Sequence, residues 1–190
     1  VDNLDRWVLG RCMRVLADRS TQGRPVKLFV SQGVVAVRDA GRSAWLRQQL
    51  ETRHLRGDQL VLEFRIGDPL DAAAIGDLAR FAEAMRPLGT LLSLSGANGS
   101  EAAREAIARI PAAFLKLSPQ LLADSTPQAR ETLRSLVDTA HARGLRVIAP
   151  RVEDARSAAQ LWTLGVDYIQ GNFVQQAAAE MNYDFQAAAS

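Results

Sequence analysis

Cysteine and histidine are scarce in this sequence, and their scarcity excludes two common kinds of structural support. The chain has one cysteine, Cys12, and two histidines, His54 and His141. A single cysteine cannot form an internal disulfide, and these three residues cannot supply the Cys/His cluster of a structural zinc site. Any metal ion would therefore need carboxylate ligands.

Long hydrophobic runs and blocks of like charge are also missing. No stretch approaches the roughly 18 consecutive apolar residues of a membrane helix, and residues 1–10 lack the basic-then-apolar pattern of a secretion signal. Basic and acidic residues are interspersed and leave a net charge of only +2. Such a pattern makes duplex nucleic acid a poor candidate partner. We therefore expect a cytoplasmic protein that neither enters a membrane nor binds nucleic acid.

The sequence does contain an alternating series of helical and strand patterns. Its 190 residues, 47% of them hydrophobic, suit one globular domain. Apolar spacings of three and four residues predict a first helix over Asp2–Ser20, and a β-branched run predicts a first strand over Val26–Val30. Further predicted helices are Arg42–Arg53, Asp71–Arg86, Gly99–Ile110, Pro127–Arg143 and Asp154–Leu164. Further predicted strands are Leu60–Phe64, Leu91–Leu94, Ala113–Leu117, Arg146–Ala149 and Asp167–Gln170.

This alternation predicts an α/β fold with a parallel sheet. Strands such as Leu60–Phe64 read as continuous apolar runs, which is typical of parallel strands covered by helices. No Gly-x-Gly-x-x-Gly motif follows the first strand, so a closed barrel is favoured over an open doubly wound sheet. Complete barrels have eight strands in about 250 residues. We therefore predict a TIM-like (β/α) barrel that is N-terminally incomplete, with one or two strands outside this sequence.

The ends of the predicted strands carry an ordered series of motifs. The series is Leu28-Phe29-Val30-Ser31, Leu62-Glu63-Phe64, Leu92-Ser93-Leu94-Ser95-Gly96, Leu115-Lys116-Leu117-Ser118, Val147-Ile148-Ala149-Pro150-Arg151-Val152-Glu153 and Asp167-Tyr168-Ile169-Gln170-Gly171. With the leading Leu4-Asp5-Arg6-Trp7-Val8-Leu9, it resembles the EAL domain family, which hydrolyses the bacterial second messenger cyclic di-GMP. The resemblance implies a barrel domain over residues 1–176 and a C-terminal tail over residues 177–190. The family's Glu-Ala-Leu motif is not in the sequence, because it would precede Val1.

Several positions depart from the family's pattern. The metal-binding Asn of the family falls on Phe29, its paired Asp residues fall on Ser95 and Gly96, and the first Glu of its Glu-Gly-Val-Glu motif falls on Pro150. The family's reaction resembles other two-metal hydrolyses, in which hard cations need several oxygen ligands. The resemblance therefore implies a degenerate site with no metal, no catalytic residues and no turnover.

Binding of the nucleotide does not require hydrolysis, and the family's remaining positions are polar. Arg151 can read the O6 and N7 atoms of guanine, Glu153 can accept hydrogen bonds from N1 and N2, and Phe173 can stack on a base. The resemblance adds the retained positions Glu63, Lys116 and Gln170. The predicted ligand-binding residues for cyclic di-GMP are Phe29, Glu63, Lys116, Pro150, Arg151, Glu153, Gln170 and Phe173.

Each of these residues also has a purely structural interpretation. Glu63 and Lys116 could form a buried ion pair with each other. Glu153 begins a helix, where the helix dipole favours a carboxylate regardless of function. Arg151 could be a solvated loop residue, and Phe29 could fill the barrel interior.

The tail and the degenerate site together favour one function among three. The segment from Gln175-Gln176 to Met181-Asn182-Tyr183-Asp184-Phe185 resembles the end of a receptor-type family member that works in type IV pilus assembly and twitching motility. That resemblance implies a PilZ-type adaptor protein as partner and an upstream degenerate diguanylate cyclase domain, and it leaves a homodimer open. The favoured function is an inactive cyclic di-GMP receptor. The alternatives are an active metal-dependent phosphodiesterase and an interaction scaffold that binds no nucleotide.

Overall fold

Helices and parallel strands alternate along the chain in a computed structural model that describes residues 2–67 and 70–174. The helices in these residues are α1 (Asp2–Thr21), α2 (Arg42–Thr52), α3 (Ala72–Met85), α4 (Glu101–Arg109), α5 (Pro119–Ala123), α6 (Pro127–Ala142) and α7 (Ala155–Thr163). The strands are β1 (Leu28–Gln32), β2 (Leu60–Arg65), β3 (Leu91–Ala97), β4 (Phe114–Leu117), β5 (Arg146–Ala149) and β6 (Tyr168–Ile169). Among these helices, none has the length and apolar character that a membrane crossing requires.

The strands form one parallel sheet in sequential order from β1 to β6. A doubly wound sheet reverses its strand order at a switch point, whereas a (β/α) barrel adds each strand beside the preceding one. The predicted TIM-like (β/α) barrel architecture is therefore confirmed, with six strands in the residues that the structure describes.

Side-chain alternation along the strands gives the sheet two different faces. The outer face packs against the helices, and on β2 it consists of the fully buried Leu60, Leu62 and Phe64. Phe64 meets Phe81 of α3 edge to face, with ring centres 5.9 Å apart. The inner face carries a smaller apolar cluster, together with the polar side chains described below; its buried members are Val61, Phe114 and Ile148.

The predicted elements are all present, with shifted ends, one added α-helix and three short 3-10 helices at Val34–Arg38, Gly57–Gln59 and Arg86–Leu88. Strand β1 starts two residues later than predicted because its ladder is set by pairing with β2, which places Leu28 opposite Leu60. Strand β3 continues through Ser95 to Ala97 by way of an irregularity at Gly96, although this segment reads as a loop. Helix α5 is an addition. The glycines expected at helix ends have left-handed backbones, with φ values of 72°, 75° and 90° at Gly89, Gly144 and Gly165.

A carboxylate at the start of β6 ties together the N-terminal ends of two strands and the end of α6. Asp167 accepts hydrogen bonds from the backbone N–H of Val147 at 2.8 Å, from Arg146 at 2.8 Å and from His141 at 2.9 Å. Burial tends to raise the pKa of this carboxyl, but the three hydrogen bonds outweigh it and hold the pKa below its ordinary value of 3.8. The charged form of Asp167 is therefore stabilised in the folded protein.

We predict that Asp167→Asn lowers the free energy of unfolding by about 1–2 kcal/mol at pH 7, because it removes charge-assisted hydrogen bonds. The depressed pKa means that the carboxylate's contribution is full above about pH 4 and is lost as the pH falls through the folded-state value. Urea titrations at pH 7 and at pH 3.5 should show the difference between wild type and variant shrinking at the lower pH. Asp138→Asn, an exposed change on α6, is the matched control. A difference that grows on acidification would contradict this account.

Candidate functional site

An ion pair lies on the inner face of the sheet, near the C-terminal ends of β2 and β4. Lys116 Nζ is 2.5 Å from Glu63 Oε2, and the two side chains are only 16% and 12% exposed. Ser31 Oγ on β1 donates a hydrogen bond to Glu63 Oε1 at 3.3 Å. Both carboxylate oxygens are thus engaged, and the two charges neutralise each other within the fold. The ion-pair interpretation of these residues is confirmed.

Phe29 lies on the same inner face and contacts both the ion pair and the barrel interior. Its ring centre is 5.0 Å from that of Phe114, with a steep interplanar angle of 64°. The Lys116 ammonium is 5.7 Å from the Phe29 ring centre, within the range of a cation–π interaction. Phe29 therefore fills part of the interior and at the same time covers the lysine.

A cleft of about 540 Å³ opens directly beside the ion pair. Its polar lining residues are Glu63, Arg65, Ser95, Asn98, Lys116, Ser118, Gln120, Asp124 and Arg151. Because Glu63 and Lys116 neutralise each other, the remaining formal charges are those of Arg65 and Arg151 against Asp124. The cleft therefore has a net positive lining that suits an anion.

A larger groove of about 1120 Å³ adjoins the cleft and runs between α5, α6 and α7. Its apolar lining residues are Leu122, Leu133, Val152, Leu161 and Leu164. Arg130 and Arg134 of α6 also line it, as do Glu153 and Asp154 at the start of α7. Pro150 and Arg151 line both cavities, so the β5–α7 loop is part of their shared wall; Pro119, Gln120 and Asp124 at α5 form the rest.

The β5–α7 part of that shared wall is held in place by the loop after β6. The Val152 N–H donates to Gln170 O at 3.0 Å, and the Phe173 N–H donates to Val152 O at 3.1 Å. Gly171 lies so close that a Cβ atom there would be 2.3 Å from Val152 O. The Gln170 N–H extends the strand ladder to Ala149 O at 2.8 Å. The backbone of residues 149–153 is therefore well fixed although many of its side chains are exposed.

The structure brings most of the predicted ligand residues together, but not all of them. Four line the cleft: Glu63, Lys116, Pro150 and Arg151. Phe29 adjoins the cleft through Lys116, and Glu153 lines the neighbouring groove. Gln170 and Phe173 line neither cavity, although their backbones hold the shared wall. Their predicted side-chain contacts with a ligand stay predictions.

The sequence analysis missed several residues of the cleft. Arg65 lies two positions after Glu63, so strand alternation already placed it on the same face. Ser118-Pro119 is a helix-start signal, with a serine cap and proline at the first helical position, and Ser118 Oγ indeed accepts from the Leu121 N–H at 3.4 Å. Asn98 could not have been predicted, because its role depends on the distant Gly67, whose carbonyl accepts from Asn98 Nδ2 at 3.2 Å.

Two glycines let the loop after β2 come close to the irregular end of β3 at the edge of the cleft. A Cβ atom on Gly67 would be 2.4 Å from Gly96 O, which is closer than such atoms come in folded proteins. Gly96 itself has a left-handed backbone with φ of 77°, which favours glycine. This close contact positions Ser95 and Asn98 on the cleft wall.

The residues at this site do not fit a pair of divalent cations. Phe29 and Pro150 offer no oxygen ligands in their side chains, Gly96 has no side chain, and Ser95 Oγ is engaged at 3.4 Å with Phe64 O. Glu63, the one carboxylate on the inner face of the described strands, already holds an ammonium group. Among residues 2–67 and 70–174, no three Asp, Glu, His or Cys side chains come together as a metal site would require.

Comparison with known proteins agrees with this fold. The sequence profile of the EAL domain family matches residues 1–177. The chain is 32% identical over 184 residues to an uncharacterised 76.5 kDa protein of Thiocystis violacea from the phbC 3′ region, covering 96% of this chain but only 26% of that protein.

Two solved structures of FimX EAL domains are similar to the whole described fold. One is the FimX EAL domain of Xanthomonas citri in complex with c-di-GMP, with 28% identity and a TM-score of 0.89 over 97% of this chain and 73% of that one. The other is the FimX EAL domain of Pseudomonas aeruginosa bound to c-di-GMP, with 26% identity and a TM-score of 0.84 over 96% of this chain and 73% of that one.

The chain belongs to the EAL domain family. FimX is the receptor-type member that the tail sequence resembles, and a relationship to FimX is confirmed by the two structures. The tail that first suggested it, from Gln175 onward, lies outside the described residues, and the division of the chain at residue 176 stays a prediction.

Breaking the ion pair on one side should destabilise the fold more than removing both charges. We expect Lys116→Met and Glu63→Gln each to lower the free energy of unfolding, the former by about 2–4 kcal/mol, because it leaves a carboxylate buried without its partner. The double variant should recover most of that loss. Denaturant titrations of the four proteins form a double-mutant cycle, and strictly additive effects would show that the two residues do not interact in solution.

The close contact between Gly67 and Gly96 should not tolerate a methyl group at position 67. We expect Gly67→Ala to cost roughly 2 kcal/mol or more, because backbone atoms of Gly96 stand in the way and cannot rotate aside. Gly10→Ala in the middle of α1 is the matched control, since its Cβ would meet nothing within 4 Å. That change should instead stabilise the protein by about 0.5–1 kcal/mol through helix propensity. Thermal melts of both variants test this prediction. Equal changes in melting temperature for Gly67→Ala and Gly10→Ala would contradict the close contact between Gly67 and Gly96.

Proposed function

We propose that this chain is a catalytically inactive receptor module for cyclic di-GMP. The observation that carries the proposal is the Glu63–Lys116 ion pair, which lies beside a cleft of net positive lining that adjoins a groove lined in part by Glu153. A cyclic dinucleotide presents two phosphates and two guanine bases, and the two adjoining cavities offer groups of matching chemistry for each.

Catalytic inactivity follows from the charges around Glu63. Two-metal hydrolysis needs several carboxylates to hold the cations that activate water and neutralise the leaving oxygen. Here the ammonium of Lys116 neutralises Glu63, the one carboxylate on the inner face of the described strands. A divalent cation entering this position would face Lys116, with Asp124 as the other carboxylate among the described lining residues of the cleft, so a cation pair is disfavoured on electrostatic grounds.

The cleft suits the phosphodiester. Arg65 and Arg151 supply positive charge on its wall, and Asn98 and Ser118 add polar groups. An arginine pairs well with a phosphate because its planar donors match two of the oxygens. Phosphate binding here needs no metal ion, since the protein's own cations compensate the negative charge.

The groove suits a guanine base. Glu153 lines it, and a carboxylate can accept hydrogen bonds from guanine N1 and N2, which adenine cannot donate. Leu161 and Val152 give it apolar surface on which the face of the base can rest. Pro150, at the junction of the two cavities, adds a rigid apolar contact. In this arrangement Phe29, Glu63 and Lys116 form the inner wall of the site.

We further propose that the module acts through protein partners in the cytoplasm. The FimX relationship and the resemblance of the tail support type IV pilus assembly and twitching motility as the process, with a PilZ-type adaptor as the partner. The chain spans only 26% of its Thiocystis relative.

Isothermal titration of cyclic di-GMP into the full-length protein, in the presence of EDTA, tests the receptor proposal. We expect one-site binding of micromolar affinity or tighter that is indifferent to the chelator. Glu153→Ala should weaken it about tenfold or more, because guanine N1 and N2 lose their acceptor. Asp138→Ala, which removes an exposed carboxylate outside both cavities, should leave it unchanged.

Hydrolysis is assayed on the same protein with Mg²⁺ or Mn²⁺ by the appearance of linear product. Product at a rate above the buffer control would establish the alternative, an active phosphodiesterase. Absence of both heat and a thermal shift with saturating nucleotide would leave an interaction scaffold, since a ligand that binds only the native state must stabilise it.

A further inference from the structure

The groove between α5, α6 and α7 is larger than a guanine base requires. Its volume of about 1120 Å³ exceeds the roughly 300–1,000 Å³ of typical sites for whole small molecules. Of its apolar lining residues, Leu133, Val152 and Leu161 are buried, whereas Leu122 and Leu164 are partly exposed. The proposed base contacts use the start of α7 and leave the α6 wall without an assigned occupant.

Two arginines on the α6 wall have no partner in the described part of the chain. Arg130 and Arg134 lie one helical turn apart, and both side chains are exposed. Neither makes an ion pair or a side-chain hydrogen bond with a described residue. Glu131 lines the same wall and offsets one of the two charges. The other carboxylates of the lining belong to other elements and are Asp124, Glu153 and Asp154. The α6 wall therefore has a net positive charge that suits an acidic segment.

The sequence of residues 180–185, which lie outside the described residues, has the pattern of an extended peptide with one apolar side. Polar and apolar side chains alternate strictly, which is the period of an extended chain. The polar members are Glu180, Asn182 and Asp184, and the apolar members are Met181, Tyr183 and Phe185. Extended peptides are recognised through alternate side chains. The apolar side thus matches the apolar lining of the groove, and the two carboxylates match the α6 arginines.

The chain leads toward this segment from a point beside the groove. The Phe173 N–H donates to the carbonyl oxygen of Val152, a lining residue of the groove, at 3.1 Å. Val174, the last described residue, is 45% exposed. Five residues separate it from Glu180, enough to span about 20 Å. A short tether gives the segment an effective concentration of about millimolar at the groove, so a weak contact suffices to fill it.

We infer that residues 180–185 dock in the groove between α5, α6 and α7 and compete there with the nucleotide base. The inference rests on the proposed receptor function and adds a means of regulation to it. The apolar side chains of the segment pack against the groove, while its two carboxylates face the α6 arginines. Because Val152 and Leu161 cannot contact the base and the segment at once, cyclic di-GMP displaces the segment when it binds.

Oxidation of Met181 by dilute hydrogen peroxide tests the docking, with sulfoxide formation followed by mass spectrometry. The other two methionines of this sequence, Met13 and Met85, are fully buried and serve as slow internal references. In the unliganded full-length protein, we expect Met181 to react about fivefold or more slowly than in a tail variant carrying Tyr183→Ser and Phe185→Ser, because the groove covers its sulfur. The rate should not depend on protein concentration, since the segment belongs to the same chain.

Charge reversal tests whether the segment lies against α6. Arg130→Glu with Arg134→Glu should raise the oxidation rate to that of the tail variant, because attraction becomes repulsion. Adding Glu180→Arg and Asp184→Arg to this arginine variant should restore slow oxidation. Arg143→Glu is the matched control, because it reverses an exposed charge just after α6 that lines neither cavity, and it should leave the rate unchanged.

The nucleotide tests the competition. Saturating cyclic di-GMP should raise the Met181 oxidation rate of wild type to that of the tail variant. In isothermal titration, the tail variant should bind cyclic di-GMP about threefold or more tightly than wild type, because no segment has to be displaced from its groove.

Four results would overturn the inference. Equal oxidation rates in wild type and the tail variant would show that Met181 is not covered. Slow oxidation that persists in the arginine variant would place the segment outside this groove. A rate that rises on dilution would assign the segment to a second copy of the chain. If cyclic di-GMP binds and the rate does not change, the receptor proposal stands and the competition is wrong. Slow oxidation in a protein that binds no nucleotide would instead overturn the receptor proposal and leave the docking in place.

Discussion

The ion pair between Glu63 and Lys116 is the constraint on which the candidate site depends. Each residue projects inward from a strand with apolar neighbours on either side, so neither charge could stay there alone without a large desolvation cost. Their 2.5 Å contact satisfies both and removes the negative potential that would attract a cation. Phe29 then covers the ammonium. The two charges therefore compensate each other within the fold.

The cavities beside the pair owe their shape to backbone contacts more than to side chains. Gly67 and Gly96 bring the loop after β2 against the end of β3 on one side of the cleft. Gly171 brings the loop after β6 against Val152 on the other side. Glycines permit these close approaches. The backbone at the rim of the cleft is therefore held in place, while the rim side chains remain exposed to a ligand. Preorganisation of this kind lowers the entropy that a ligand-binding residue loses on complex formation.

The sequence predicted the order of elements well and the contents of the site only in part. Periodicity identified every strand and all α-helices except α5, because buried faces leave a regular pattern. Inward positions such as Glu63 and Lys116 followed from strand alternation together with the family resemblance. Asn98 and the left-handed backbone at Arg151, where φ is 58°, could not be predicted, since each depends on a contact between segments far apart in the chain. The register of β1 likewise depends on its partner strand and not on its own composition.

The two faces of the sheet separate the packing that holds the fold together from the side chains that line the cleft. The main core lies between the outer face and the helices, where Leu60, Leu62 and Phe64 are fully buried. The substituted ligand positions lie on the inner face or on loops at the strand ends, where they contribute little to that core. Phe29 even adds apolar contact in the interior through Phe114. Substitution at these positions can therefore alter the chemistry of the cleft while the strand and helix layers keep their packing.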